Sequence, residues 1–226
     1  MRSAGGGKIM TRALGSTVAI GLLTLVSLAA QQPVAPAQPS QGTGPLPAEW
    51  KARLDDAAAR PDAVTVAAER ESLTITTGPA GIFYKPGMKA EKDYDFTATF
   101  SQLQPAAAPQ PYGLFIGGAD LDKTVPRYTA FLIRSDGKYQ ITSRNGSRTV
   151  TVVGWRPAPQ MADPKGVKTS NTLSIRALRG AVHFLVGQRE VHQMPRGRAG
   201  GDGIAGVRVG PNLKVQVNGL AVKKFP

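Results

Sequence analysis

Between Ala63 and Val217 apolar residues recur at every second position, in runs short enough to be single strands. A period of two is the pleat of a β-strand with one face buried, and it cannot be reconciled with helix over the same residues. The runs are 63–69, 72–77, 81–85, 93–100, 112–118, 127–134, 138–144, 147–155, 171–178, 181–187, 189–193, 203–210 and 213–217, rich in Val, Ile, Thr, Phe and Tyr. Asp136-Gly137, Asn145-Gly146, Arg179-Gly180, Gly187-Gln188 and Asp202-Gly203 separate neighbouring runs. Such pairs tolerate positive φ and close tight hairpins. So many short alternating strands with almost no helix predict an all-β, antiparallel two-sheet sandwich. No repeat of 20–50 residues is present, which argues against a propeller or solenoid.

The segment before the strands has a different character. Arg2, Lys8 and Arg12 precede an uncharged apolar run, Val18 to Leu28, and the small residues Ser27, Ala29 and Ala30 follow. That order is the pattern of a secretory signal peptide, so 1–30 is expected to be removed on export to the periplasm or outside. Removal leaves no stable membrane insertion; the alternative is that 13–30 stays as an uncleaved anchor. Residues 31–47 (QQPVAPAQPSQGTGPLP) read as a Pro/Gln-rich linker. Within the lead-in 48–62, Trp50, Leu54 and Ala57 or Ala58 fall at helical spacing and Pro61 ends the pattern, which predicts a short N-terminal helix. The sandwich then spans 63–226.

The chain has no cysteine. Disulfides, thiolate metal sites and a cysteine nucleophile are therefore excluded, and an exported domain of this kind must rely on its core. Its formal net charge is +13, of which the signal segment accounts for three charges. The basic residues are spread along the strands (Arg127, Arg134, Lys138, Arg144, Arg148, Arg156, Arg176, Arg179, Arg189, Arg208), as expected for side chains on wet faces. A basic surface attracts anionic polymers. No helix-turn-helix, zinc-finger or RNA-recognition signature accompanies the charge, so nucleic acid is not an expected partner.

Two segments carry a family resemblance. The run NTLSIRALRGAVHFLVGQREV (171–191), followed by DGIAGVRVGPNLKVQV (202–217), resembles the closing strands of concanavalin A-like lectin/glucanase jelly rolls. Phe184, Val186, Gly187 and Val191 match the hairpin, and Gly203, Gly206, Val207 and Val209 the strand after it. YGLFIGG (112–118) and YTAFLIRSDGKYQI (128–141) resemble the central strands. Within that superfamily the chain is most similar to secreted bacterial proteins with a 3-keto-disaccharide hydrolase domain. The resemblance implies a jelly roll over 63–226 and a ligand face on its concave sheet. The fold hosts lectins, hydrolases and adhesive modules alike.

The acids depart from the glucanase pattern. Its E-x-D-x-x-E strand is missing, and the only glutamates are Glu49, Glu69, Glu71, Glu91 and Glu190. Glycoside cleavage uses two carboxylates about one bond, so an enzyme requires at least two of Asp120, Asp122, Asp136, Asp163 and Glu190 to converge. There is no G-x-S-x-G motif either.

Three constellations remain. A Gly187-Gln188 turn would set His183 directly across from His192, close enough to share a metal, although two ligands do not complete a zinc site. Asp120 and Asp122 alternate in the loop GGADLDKTVP, where calcium is the candidate ligand and Lys123 opposes it. Tyr128, Arg134, Gln140, Arg144 and Trp155 alternate onto one face of adjacent hairpins, a pattern suited to stacking sugar rings and binding hydroxyl or acidic groups. The resulting expectation is an exported, non-catalytic module that binds carbohydrate or another anionic envelope polymer. The alternatives are a glycoside hydrolase of the keto-sugar type and a structural or interaction module at the cell surface.

Overall fold

The computed structural model describes residues 46–161 and 170–225. The expected signal peptide, all but the last two residues of the linker, and Asp163 lie outside the described residues.

The strands are β1 (Lys51–Leu54), β2 (Val64–Glu69), β3 (Ser72–Thr77), β4 (Gly81–Ala90), β5 (Tyr94–Gln102), β6 (Tyr112–Ala119) and β7 (Arg127–Arg134). They continue as β8 (Lys138–Asn145), β9 (Arg148–Pro157), β10 (Ser170–Leu178), β11 (Ala181–Val186), β12 (Arg189–Pro195), β13 (Gly203–Val209) and β14 (Lys214–Lys224). They form two seven-stranded sheets, a front sheet in the order β1-β4-β13-β6-β7-β8-β9 and a back sheet in the order β12-β11-β10-β5-β14-β3-β2. All registered pairs are antiparallel, and the fold is the two-sheet sandwich that the period of two predicts, arranged as the jelly roll that the family resemblance implies. Every run read as a strand from the sequence has its counterpart.

Inward residues of the two sheets meet in one core. Phe83, Leu114, Ile116, Phe131 and Ile133 of the front sheet pack against Phe96, Phe100, Ile175, Phe184, Val215 and Val217 of the back sheet. The sheets interlock through aromatic pairs: Phe131 and Phe184 ring centroids are 5.3 Å apart, Phe100 and Tyr112 5.8 Å. Full burial of each such side chain contributes about 1.5–3 kcal/mol. Burial alone pushes the Tyr112 hydroxyl up to about 12.

Turn chemistry behaves largely as predicted. Arg179-Gly180 and Gly187-Gln188 both take positive φ at both positions, the conformation that matches strand twist. The β8–β9 turn sits one residue later than expected: Asn145 pairs with Arg148, so Gly146-Ser147 form the bend. The glycine-rich stretches near 117 and 200 pack on each other, and a Cβ on Gly117 would fall 1.7 Å from the Gly200 carbonyl oxygen.

The predicted N-terminal helix is not formed. Residues Lys51–Leu54 instead make β1, paired with Gly81–Tyr84 at the front-sheet edge. An isolated helix of this length is marginal in water, whereas the unpaired edge of β4 offers a ready ladder. Ala52 and Leu54 pack against the core between the outward Lys51 and Arg53, so four residues of period two outweigh the helical spacing. Beyond β1, Asp56 closes an Asx turn by accepting the Ala58 amide at 2.9 Å. The one α-helical turn among the described residues is α1 (Arg196–Ala199), ended by Gly200 in the left-handed region.

Candidate functional site

The front sheet departs from simple alternation on its outer side. Ile82 and Tyr84 of β4, Phe115 of β6, and Tyr128, Ala130 and Leu132 of β7 are all buried there, with Leu121 from the β6–β7 loop, as a second apolar cluster separate from the main core. Phe115 lies 5.3 Å from Tyr128 and edge-on to Tyr84 at 6.4 Å. Gly206 of β13 makes room for that ring: a Cβ there would meet Phe115 Cε1 at 2.6 Å and the Phe83 carbonyl at 2.5 Å.

A layer of arginines covers this aromatic bed. Asp55, immediately after β1, accepts a bidentate pair from Arg208 (3.0 and 2.5 Å) and lies 3.5 Å from Arg144 Nη1. Arg144 also donates through Nε to the Gly146 carbonyl. Arg53 donates to the carbonyls of Leu121 and Lys123, tying β1 to the β6–β7 loop. Between β1 and β8 stand four strands, which a flat sheet would spread over about 24 Å. Asp55 and Arg144 nevertheless touch, so the sheet curls toward this side and the face is concave.

Burial and charge act together on the tyrosines of the bed. Burial raises the Tyr128 hydroxyl above its ordinary value, Asp55 adds to the rise, and Arg208, Arg144 and Arg53 oppose it. Burial likewise raises Tyr84, with Asp122 adding and Arg53 opposing. Burial pulls on the Arg208 charge, but its hydrogen bonds to Asp55 override that and hold it protonated. Around Tyr128, three guanidiniums face the single carboxylate of Asp55. The side chains of Arg144 and Arg208 keep 18% and 16% of their surface and Asp55 keeps 35%, so the arginine layer still meets solvent.

Tyr128, Arg134, Gln140, Arg144 and Trp155 lie together on the outer side of the front sheet. Tyr128 pairs with Arg144 and Leu132 with Gln140 across β7 and β8, and Arg134 lies at the far end of β7. There the Arg134 guanidinium sits 4.1 Å from the centre of the half-buried Trp155 ring and is held by Asp136 at 2.6 Å. From Tyr128 to Arg134 the face runs about 20 Å. Tyr128 itself is buried beneath the arginines, so it serves as bed rather than contact. Arg53, Asp55, Tyr84, Phe115 and Arg208 were missing from the expected set. A sign of the apolar bed, though not of these residues, is RYTAFLIR, whose near-continuous burial marks a strand covered on both faces. Arg208, read as a wet side chain, is mostly enclosed, and Arg144 belongs to the same cluster.

Among the described residues Asp120 and Asp122 share the β6–β7 loop, while Asp136 and Glu190 lie away from them. Asp120 precedes β7 and Asp136 follows it, so the strand's whole length separates them, while Glu190 belongs to the back sheet. Asp120 binds Lys123 at 2.9 Å and Arg127 at 3.4 Å, and these cations hold its carboxyl below the usual range. A calcium ion at Asp120 and Asp122 would have to displace both. Asp136 is lowered too, because Arg134 and Lys138 outweigh its partial burial.

The histidine pair is corrected. Val186 pairs with Arg189 as the turn requires, but a bulge then sets Phe184 opposite His192 and His183 opposite Gln193. The extra residue, Val191, turns its carbonyl to the Tyr139 hydroxyl of the other sheet at 2.8 Å, which shifts the register. His183 pairs instead with Glu190, 2.7 Å away. His192 stacks near Phe184, and burial with Arg156 and Arg198 lowers its pKa against the pull of Glu190. No group of three metal-ligating side chains occurs among the described residues.

No family model matches the chain, and no curated protein matches it. Solved structures do. The carbohydrate-binding module CBM66 from Bacillus subtilis superposes with a TM-score of 0.57 at 9% identity, over 78% of this chain and 96% of that one. A Bacillus subtilis protein of unknown function with a galectin-like fold gives 0.57 at 14% identity, over 78% and 89%. A glycosidic hydrolase gives 0.52 at 9% identity, over 79% and 90%. The fold is thus that of the galectin-like and concanavalin A-like jelly rolls.

Proposed function

We propose that this is an exported binding module that holds an anionic carbohydrate chain along the concave face of its front sheet. The observation that carries the reading is the cluster of Arg53, Arg144 and Arg208 about one carboxylate, Asp55, laid over the aromatic bed of Tyr84, Phe115 and Tyr128. Guanidiniums suit carboxylate and sulfate groups because their fork matches two oxygens at once. At the other end the Arg134 guanidinium lies over the half-buried Trp155 ring, with Gln140 on the neighbouring strand. A face about 20 Å long suits a chain better than one small sugar. The similarity in fold to a carbohydrate-binding module agrees with this ligand class, and the dispersal of the described acids favours binding over cleavage.

A glycan array with residues 31–226, read at low and moderate salt and with and without calcium, tests the reading. Selective binding of uronate or sulfated glycans that survives moderate salt is expected. Arg144→Ala should then weaken it about 10- to 100-fold, the worth of one charge-assisted hydrogen bond. Binding confined to low salt would reduce the face to a non-specific basic surface. Release of shortened glycan would replace binding by hydrolysis.

A further inference from the structure

A second feature lies at the side of the sandwich, where the edge of the front sheet passes the C-terminal stretch of β14. An open cleft of ≈ 920 Å³ runs there, lined by Trp50, Lys51, Lys85, Met88, Lys89 and Lys224, with Glu49 and Glu91 at its margins. It adjoins a smaller cavity of ≈ 330 Å³ that shares Trp50, Lys85 and Met88, so the indole stands where the two meet. Helical spacing alone puts Trp50 on a helix. Its actual position follows from β1, which starts one residue later and carries Trp50 and Lys51 to the cleft while Arg53 and Asp55 serve the concave face.

The charges of the cleft are out of balance. Lys85 is 3.4 Å from Glu49 and also 5.6 Å from the centre of the Trp50 ring. Lys51, Lys89 and Lys224 are exposed and have no ion-pair partner among the described residues. Four ammonium groups therefore face two carboxylates around a partly exposed aromatic ring. Like charges gathered on low-dielectric walls raise the local potential and favour an anion. The aromatic ring offers a flat apolar surface beside them, on which the apolar face of a pyranose can lie. The volume is within the range that takes a small ligand. The apolar part of the lining comes from Trp50, Pro86, Met88 and Val222, set among the lysines.

We infer that this cleft is a separate binding site for an acidic oligosaccharide, with Trp50 as the platform beneath a sugar ring and Lys51, Lys89 and Lys224 as the partners of its carboxylates. The site lies at the sheet edge rather than over the aromatic bed, and makes its own prediction.

The two tryptophans of the chain allow each site to be read alone. In Trp155→Phe the only indole is Trp50, and titration with an oligogalacturonate at moderate salt should give a saturable change in its emission. The double variant Lys51→Gln/Lys89→Gln, at exposed positions that leave the fold intact, should raise the Kd at least about 10-fold. No change in Trp50 emission, or an unchanged Kd in the lysine variant, would overturn the proposal. An equal response to the neutral galactose oligomer, to inorganic phosphate or to oligoglutamate would overturn the saccharide assignment. The Trp50→Phe protein, with Trp155 as reporter, reads the concave face in the same titration, so failure of one site is not mistaken for failure of the other.

Discussion

The two outer faces of the sandwich belong to sheets of the same size and the same antiparallel pairing, yet they are built on opposite terms. On the back sheet alternation holds. Thr99 and Thr172 share a hydrogen bond at 2.8 Å, Ser101 and Ser170 one at 2.6 Å, and Ser174 donates to Thr97 at 3.0 Å. Arg176 closes on Asp95 at 2.6 Å. This face is a water-facing surface whose hydroxyls satisfy each other. On the front sheet the corresponding positions are Ile82, Tyr84, Phe115, Tyr128 and Leu132, buried under arginines. A sheet that gives up its polar face must cover the apolar residues that replace it. Here the cover is charged and incompletely neutralised, which is why the proposed binding surface lies on the front rather than the back.

The sharpest way to break this comparison is to truncate one residue on each face. Phe115→Ala removes a ring that touches Tyr84, Tyr128 and Gly206 and should cost about 3–5 kcal/mol, read as a fall in denaturant midpoint. Thr99→Ala on the back sheet should cost about 1 kcal/mol or less. A Phe115→Ala loss no larger than that of Thr99→Ala would mean that the front face is ordinary surface. The same truncation should also weaken glycan binding, because the arginines rest on the bed it removes.

Asp55 gives a second test, in which stability and binding move in opposite directions. Its carboxylate fills part of the arginine cluster in the place an external anion would take. Asp55→Asn keeps the shape and removes the charge, leaving Arg208 enclosed without its counter-ion. Loss of one partner of a fully buried pair costs about 3–5 kcal/mol, and the partial exposure of this one reduces that to about 2 kcal/mol. Affinity for an acidic glycan should meanwhile rise several-fold, since Arg144 and Arg208 no longer have an internal competitor. A drop in both quantities would make the cluster a brace for β1 and remove it from the binding face.

These contrasts also explain what was legible in the sequence. Strands with one wet face announce themselves: 72–77 and 171–178 were read almost to the residue, and the Arg179-Gly180 turn with them. The concave face was half legible. Tyr128, Arg134, Gln140, Arg144 and Trp155 follow from alternation within β7, β8 and β9, which are neighbours in both chain and sheet. Arg53, Asp55 and Arg208 are not neighbours in the chain; Arg208 reaches Asp55 across a separation of 153 residues. No local period encodes that meeting, which depends on β13 inserting between β4 and β6. The histidine register failed for a related reason. The turn fixes only the first pair, and the bulge at Val191 is set by a hydroxyl from the opposite sheet.

The smallest effect is expected from the back sheet, where it can still sharpen the contrast. Thr99 and Thr172 lie directly across from each other, and their hydroxyls share a hydrogen bond. Thr99→Val alone leaves Thr172 one partner short, but the face is open to water, which takes over the bond, so the cost should stay below about 1 kcal/mol. Replacing both by Val removes donor and acceptor together and adds two residues favoured in strands. The double variant should therefore be no less stable than the single one, and its coupling energy should be measurable in a thermal-melt cycle. Glycan binding should be unchanged in both variants, because the concave face lies on the other sheet. Lost binding in the double variant would move the ligand to the back sheet.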